Sequence, residues 1–319
     1  MPPSINRQKP PVKQVSFPEG SILASAVPTT TLSQGYTKLC IYGRNRSGKT
    51  TLAAQFKKPI LVISSEPDEN GGADSISDIE GISLIRVSVK KLPGERTALG
   101  SGKVVMIARE LASNNPFATV VYDTVTSLQD VIHAELLGLP DIPDTKGWGT
   151  VPDGFYQQRS EKLKSTIRPI IDLTNCNVII LAQEKDHNSS EDRGGKNKLL
   201  QANGRRDAMQ SGSFMGPSLG AGTANWLQDA CRYVVQIYED ELQDKIEVPT
   251  MNMDGTPGET VTQYIPTGKR QRHLRLIYHP NFAAGGRIPF SRNTPEFVTA
   301  PTPQGLYKEL TKYIPSLKG

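Results

Sequence analysis

Residues 41–53 read IYGRNRSGKTTLA, and their spacing leaves the chain few ways to fold. Gly43 is followed by four residues and then by Gly48, Lys49 and Thr50. The β-prone run KLCIYG precedes this stretch, and the helix-prone run GKTTLAAQF contains its end. Glycines so placed let successive backbone N–H groups turn toward one anion, and a strand-to-helix junction adds the polarity of a helix start. The pattern is that of a phosphate-cradling loop. It predicts that Gly43, Arg44, Asn45, Arg46, Ser47, Gly48, Lys49, Thr50 and Thr51 surround a nucleoside triphosphate. Lys49 then reaches the β- and γ-phosphates, and the Thr50 hydroxyl is a ligand to Mg²⁺.

Such a loop belongs on a sheet with helices on both faces, and the chain supplies the pattern. KLCIYG, ILVISSE, ISLIRVS, ATVVYDT and NVIILAQ are nearly continuous apolar runs rich in β-branched residues, as buried parallel strands require. Between them lie the helical stretches GKTTLAAQF, KVVMIARELA, SLQDVIHAELLG and the long DGFYQQRSEKLKSTIRPIIDLT, with Asp153 as its expected N-cap. Later come CRYVVQIYE, DKIEVPT, TVTQYI and RHLRLIYH, with the turn signal DGTPGE among them, read as antiparallel strands added at one edge. The expected organisation is a flexible arm over 1–31, an α/β core over 32–300 and a C-terminal helix over 301–319. The arm is expected because 1–31 hold six prolines and few large apolar residues.

Three strand ends carry candidate chemistry. Asp123 closes ATVVYDT, where a carboxylate can complete the Mg²⁺ site; the alternative is that it caps the following helix, with Thr124 in support. Glu66 closes ILVISSE and could take the proton of an attacking water, or be an ordinary exposed glutamate. Gln183 closes NVIILAQ, where a neutral amide can bond the γ-phosphate and lose that bond on hydrolysis, or be a generic polar strand end.

At 319 residues and 36% hydrophobic content the chain can bury a real core, and no apolar run approaches the ~20 residues that cross a bilayer. The first thirty residues lack the apolar centre of a secretory signal, so a cytoplasmic location without membrane contact is expected. Cys40, Cys176 and Cys231 are widely spaced and read as core thiols in a reducing compartment. The formal charge of +5 is concentrated in two segments. One holds Arg193, Lys196, Lys198, Arg205 and Arg206; the other holds Lys269, Arg270, Arg272, His273 and Arg275. Clusters of this kind suit a polyanion, or are solvated faces.

The four motifs in this order resemble the RecA-type recombinase core over 38–290, including the compact phage-encoded single-strand-annealing ATPases related to it. The resemblance implies a RecA-like fold and an ATPase that uses ATP and Mg²⁺, with Glu66 as general base, Lys49 catalytic and Gln183 as the switch glutamine. It implies two DNA-binding loops, matched by 138–154 with Lys146 and Trp148, and by 185–226 with Arg193, Lys196, Lys198, Arg205, Arg206 and Phe214. Single-stranded DNA is the implied partner, with a homo-oligomeric ring or filament and a single-stranded-DNA-binding protein as further partners. His279 and Pro280 stand where the family places a basic intersubunit finger, so Arg287 is the nearest candidate. A DNA motor of helicase or packaging type, and a nucleotide-dependent regulator of an acidic protein, would use the same motifs.

Overall fold

A computed structural model describes residues 35–66, 72–89, 100–142, 152, 154–187, 215–251, 257–277, 279, 282–286 and 293–317. The chain divides into Met1–Gly35 and Tyr36–Gly319, and the second unit holds all the elements below. The expected arm over 1–31 lies outside the described residues.

The centre is a twisted sheet of strands β1 (Lys38–Gly43), β2 (Ile60–Ser64), β3 (Ile82–Arg86), β4 (Thr119–Asp123) and β5 (Asn177–Asp186). They run parallel in the order β1-β5-β4-β2-β3. Beyond β1 the sheet continues through β7 (Tyr233–Met251), parallel to β1, and then β8 (Pro257–Arg275) and β10 (Phe297–Ala300), which are antiparallel. Two short strands, β6 (Met215–Pro217) and β9 (Gly285–Gly286), pair with β5 and β7. This is the mostly parallel α/β sheet, with antiparallel strands at one edge, that the run of strand and helix segments predicts.

Helices α1 (Lys49–Ala53), α2 (Gly100–Ser113), α3 (Val125–Leu136), α4 (Phe155–Ile171), α5 (Ala221–Ala230) and α6 (Pro303–Tyr313) cover the sheet. On α4, Leu163, Ile167, Ile170 and Ile171 recur at helical spacing and are buried with Val104, Leu128 and Ile132 against one face. On the other face Leu52 and Phe56 meet Leu306, Leu310 and Ile314, and the Phe56 and Tyr307 rings lie 4.9 Å apart. Each fully buried side chain of this size contributes about 1.5–3 kcal/mol, so α6 is part of the core. Its start is set locally: the Thr302 hydroxyl accepts the Gly305 N–H at 3.1 Å, and Pro303 follows the cap. Cys40, Cys176 and Cys231 are buried free thiols, as expected.

Several boundaries move. Helix α1 stops at Ala53 rather than spanning GKTTLAAQF, and β3 is a partly exposed edge strand, with Leu84 40% exposed, because no strand among the described residues pairs beyond it. The four late segments merge into two 19-residue strands, β7 and β8, because their hydrogen-bond ladder runs on from the sheet into an exposed two-stranded ribbon. The expected cap Asp153 lies outside the described residues; α4 starts one residue later than it would set, at Phe155, after Gly154 in a left-handed conformation. The polar stretch after Gln183 begins in order, since β5 continues to Asp186 against β6.

Gly43 is needed for space. A Cβ there would lie 2.2 Å from the Ile237 carbonyl oxygen and 2.8 Å from Ile237 Cγ2. Its φ is not among the positive values, so close approach of β7, rather than conformational freedom, selects glycine. Gly43→Ala is therefore expected to lower stability by about 1–3 kcal/mol in urea unfolding. Gly222→Ala, in α5 where a Cβ meets nothing within 4 Å, should be neutral or stabilising by up to about 1 kcal/mol.

Candidate active site

The loop after β1 turns through Arg46 at φ 63° and Gly48 at φ 89°, the left-handed conformations that point consecutive amides one way. The loop borders a cavity of about 820 Å³ at the carboxyl ends of the parallel strands. Asn45, Arg46, Gly48, Lys49, Thr50 and Thr51 line it, and Asp123 of β4, Gln183 of β5 and Glu66 from the segment after β2 join them. The sheet thus brings together the residues that the strand ends nominated. Arg44 turns away, 79% exposed, with its Nε 3.6 Å from Glu184. Ser47 is buried with its hydroxyl unpartnered.

Thr50 and Asp123 face each other. The Thr50 hydroxyl donates to Asp123 Oδ2 at 2.8 Å, while Oδ1 is buried without a hydrogen-bond partner. Thr124, not Asp123, caps α3, its hydroxyl accepting the Ser127 N–H at 3.1 Å. The carboxylate is therefore committed to the cavity. Gly72 closes over the pair: a Cβ there would lie 2.6 Å from Thr50 Oγ1 and 3.4 Å from Asp123 Oδ2. A hydroxyl, an unsatisfied carboxylate oxygen and a wall kept free of side chain fit Mg²⁺, which takes hard oxygen ligands and shares them with phosphate.

Burial pushes the Asp123 carboxyl up to about 6, helped by the nearby Glu66 charge and opposed by the Thr50 hydrogen bond and Lys49. Burial likewise lowers Lys49, whose ammonium donates to the Gly43 and Arg44 carbonyls at 3.0 and 2.8 Å. Glu66 stands two residues beyond the end of β2 rather than on it, and its Oε2 accepts the Gly72 N–H at 2.9 Å. Gln183 is inside β5, opposite Gly43, with its N–H donated to the Thr126 hydroxyl at 3.0 Å; β5 does not end there because β6 supplies three more paired residues.

The cavity also holds Ser75, Ser127, Asp130 and Arg272, which no motif marked. Lys146, Trp148, Arg193, Lys196, Lys198, Arg205, Arg206, Phe214 and Arg287 lie outside the described residues. The second basic cluster is partly neutralised within the chain. Arg270 and Arg272 share Glu239 at 3.5 and 3.3 Å, Arg275 pairs with Glu296, and His273 Nε2 is 3.8 Å from Asp240. Part of its apparent surplus of charge in the sequence is offset by acids brought across from β7 and from just before β10.

The Asp123 shift has a sign that can be measured. Below pH about 4 the carboxyl is protonated folded or unfolded, so its burial costs nothing; above pH 6 it is ionised in both states, and the fold bears about 3 kcal/mol. Without Mg²⁺ or nucleotide, Asp123→Asn should raise the thermal midpoint at pH 8, with the gain shrinking to nothing as pH falls from 6 toward 4. An equal gain at pH 4 and pH 8 would contradict this account.

Residues 36–288 match the family described as AAA domain, about four fifths of the chain. No curated protein matches. Among solved structures, the KaiC-like protein PH0186 from the hyperthermophilic archaeon Pyrococcus horikoshii OT3 is similar at 13% identity and a TM-score of 0.33. That similarity covers 77% of this chain and 88% of the other, and is too distant to bear on function. Among the described residues, no helix is long and apolar enough to cross a membrane.

Proposed function

Because this chain belongs to the AAA-domain family of P-loop ATPases, we propose that it hydrolyses ATP at the loop of residues 43–51 and couples turnover to single-stranded DNA, in annealing or strand exchange. The observation that carries the hydrolytic part is the convergence of Thr50, Asp123 and Glu66 around Lys49 in one cavity.

In this reading the loop amides and Lys49 hold the phosphates, with Lys49 exchanging its two loop carbonyls for phosphate oxygens. Thr50 and Asp123 would hold Mg²⁺, which would supply charge neutralisation to the bound phosphates. Glu66, fixed through Oε2 to the Gly72 N–H, orients the attacking water and takes its proton at Oε1. The bond from the γ-phosphorus to the bridging oxygen breaks, and ADP leaves with that electron pair. Gln183, whose backbone is held beside Gly43, would sense the γ-phosphate in this reading.

Support for a coupled polyanion comes from the root of the segment over 188–214. Its two ends are joined by the β5–β6 ladder, with Glu184 opposite Pro217 and Asp186 opposite Met215. That ladder starts one residue after Gln183, and the Ser218 N–H donates to the Gln183 carbonyl at 2.7 Å. In this reading a change at Gln183 would act on the β5–β6 ladder, between whose strands the sequence carries Arg193, Lys196, Lys198, Arg205 and Arg206.

Lys49→Ala is expected to abolish hydrolysis in a phosphate-release assay. Combining Arg205→Ala with Arg206→Ala should weaken single-strand binding and flatten its salt dependence by about two phosphate contacts in a filter titration. DNA affinity of that double variant equal to the parent's would refute the DNA assignment. Directional unwinding in place of annealing would mark a motor.

A further inference from the structure

Arg272 enters the cavity from a strand that the phosphate-loop motif does not include. Its backbone is held on both sides, opposite Glu239 of β7 and Ala300 of β10, so the side chain starts from the interior of a three-stranded ladder. The guanidinium lies on the phosphate loop itself. A Cβ at Gly48 would sit 3.3 Å from its Nε and 4.0 Å from its Cζ. The glycine before Lys49 is required by its φ of 89°, and the arginine packs close beside it.

The polar contacts of this arginine are incomplete. Its NH2 is 3.3 Å from Glu239 Oε1, and NH1 donates to the Pro301 carbonyl at 3.5 Å, at the limit of a hydrogen bond. Nε is buried with no hydrogen-bond partner. Glu239 is shared with Arg270, so one carboxylate serves two guanidinium groups. A planar five-donor cation with a buried unsatisfied N–H, facing a loop built for phosphate, is suited to donate to phosphate oxygens.

We infer that Arg272 is a same-chain phosphate ligand of the nucleotide site, with Glu239 as the counter-ion that competes with phosphate for it. This rests on the reading of the loop as an ATP site. Arg272 comes from the chain that owns the loop, so its contact does not depend on assembly. It also ties that site to the base of the long β7–β8 ribbon, because nucleotide and Glu239 compete for one guanidinium.

The test is equilibrium binding of ATP to the full-length chain, measured against salt, for Arg272→Ala, Arg272→Lys, Glu239→Gln and Lys49→Ala. Arg272→Ala should weaken ATP binding about tenfold and lower the salt slope by about one, while the nucleotide-free thermal midpoint stays near the parent's. Arg272→Lys should recover part of the affinity and the whole of the slope. Glu239→Gln, which removes the competing carboxylate and keeps the arginine, should bind ATP more tightly; this variant carries the test if Arg272→Ala does not fold. ATP affinity of Arg272→Ala within twofold of the parent, or weaker binding by Glu239→Gln, overturns the inference. If Lys49→Ala also binds ATP like the parent, the loop assignment itself has failed; if it loses binding while Arg272→Ala keeps it, only the role of Arg272 has.

Discussion

The double pairing of β1 controls what the rest of the molecule can do. Lys38–Gly43 is bonded in parallel to β5 on one side, and its central residues to β7 on the other, with Gly43 opposite Gln183 and pressed on Ile237. A strand held on both edges cannot slip by one residue without turning every buried side chain to the wrong face. The loop that follows therefore leaves the sheet at one fixed point. Since α1 is only five residues long, its dipole is small, and anion binding falls to the loop amides and the cations around them.

Burial gives those groups their character. Asp123 is displaced toward its neutral form and Lys49 toward its own, mainly because both are taken from water. Each charge lowers the other's penalty, and a bound metal and phosphate would lower both further. The fold thus holds an electrostatic cost at the position where a charged ligand would relieve it, which is the usual relation between active sites and stability. Glu184 extends the arrangement away from the cavity. It lies between Arg44 of the loop and Gln236 of β7, which in turn accepts from Arg275 Nε at 3.3 Å.

Much of this was legible in the residues. Lys49 and Thr50 follow from the glycine spacing, Asp123, Glu66 and Gln183 from their place after apolar runs, and the parallel sheet brings all five to one cavity. What was misjudged concerns ends and neighbours. Gln183 reads as a strand end because polar residues follow it, yet β6 supplies ladder partners for three more. ISLIRVS reads as buried because it is apolar, but its place at the sheet edge leaves it half in water. The cluster over 269–275 reads as free positive charge because Glu239, Asp240 and Glu296 are distant in the chain and adjacent only across strands.

The sequence alone determined the phosphate loop, the succession of strand and helix, and the chemical type of each strand-end residue. These depend on local spacing and on periodicity, which neighbouring residues impose directly. Only the tertiary structure decided that Gly43 is a matter of space rather than of φ, that Gly72 walls the Thr50–Asp123 pair, and that Arg272 lies on Gly48. Those contacts join residues from 22 to more than 200 positions apart. Strand order and register bring such residues together, and neither is written in any single stretch of chain.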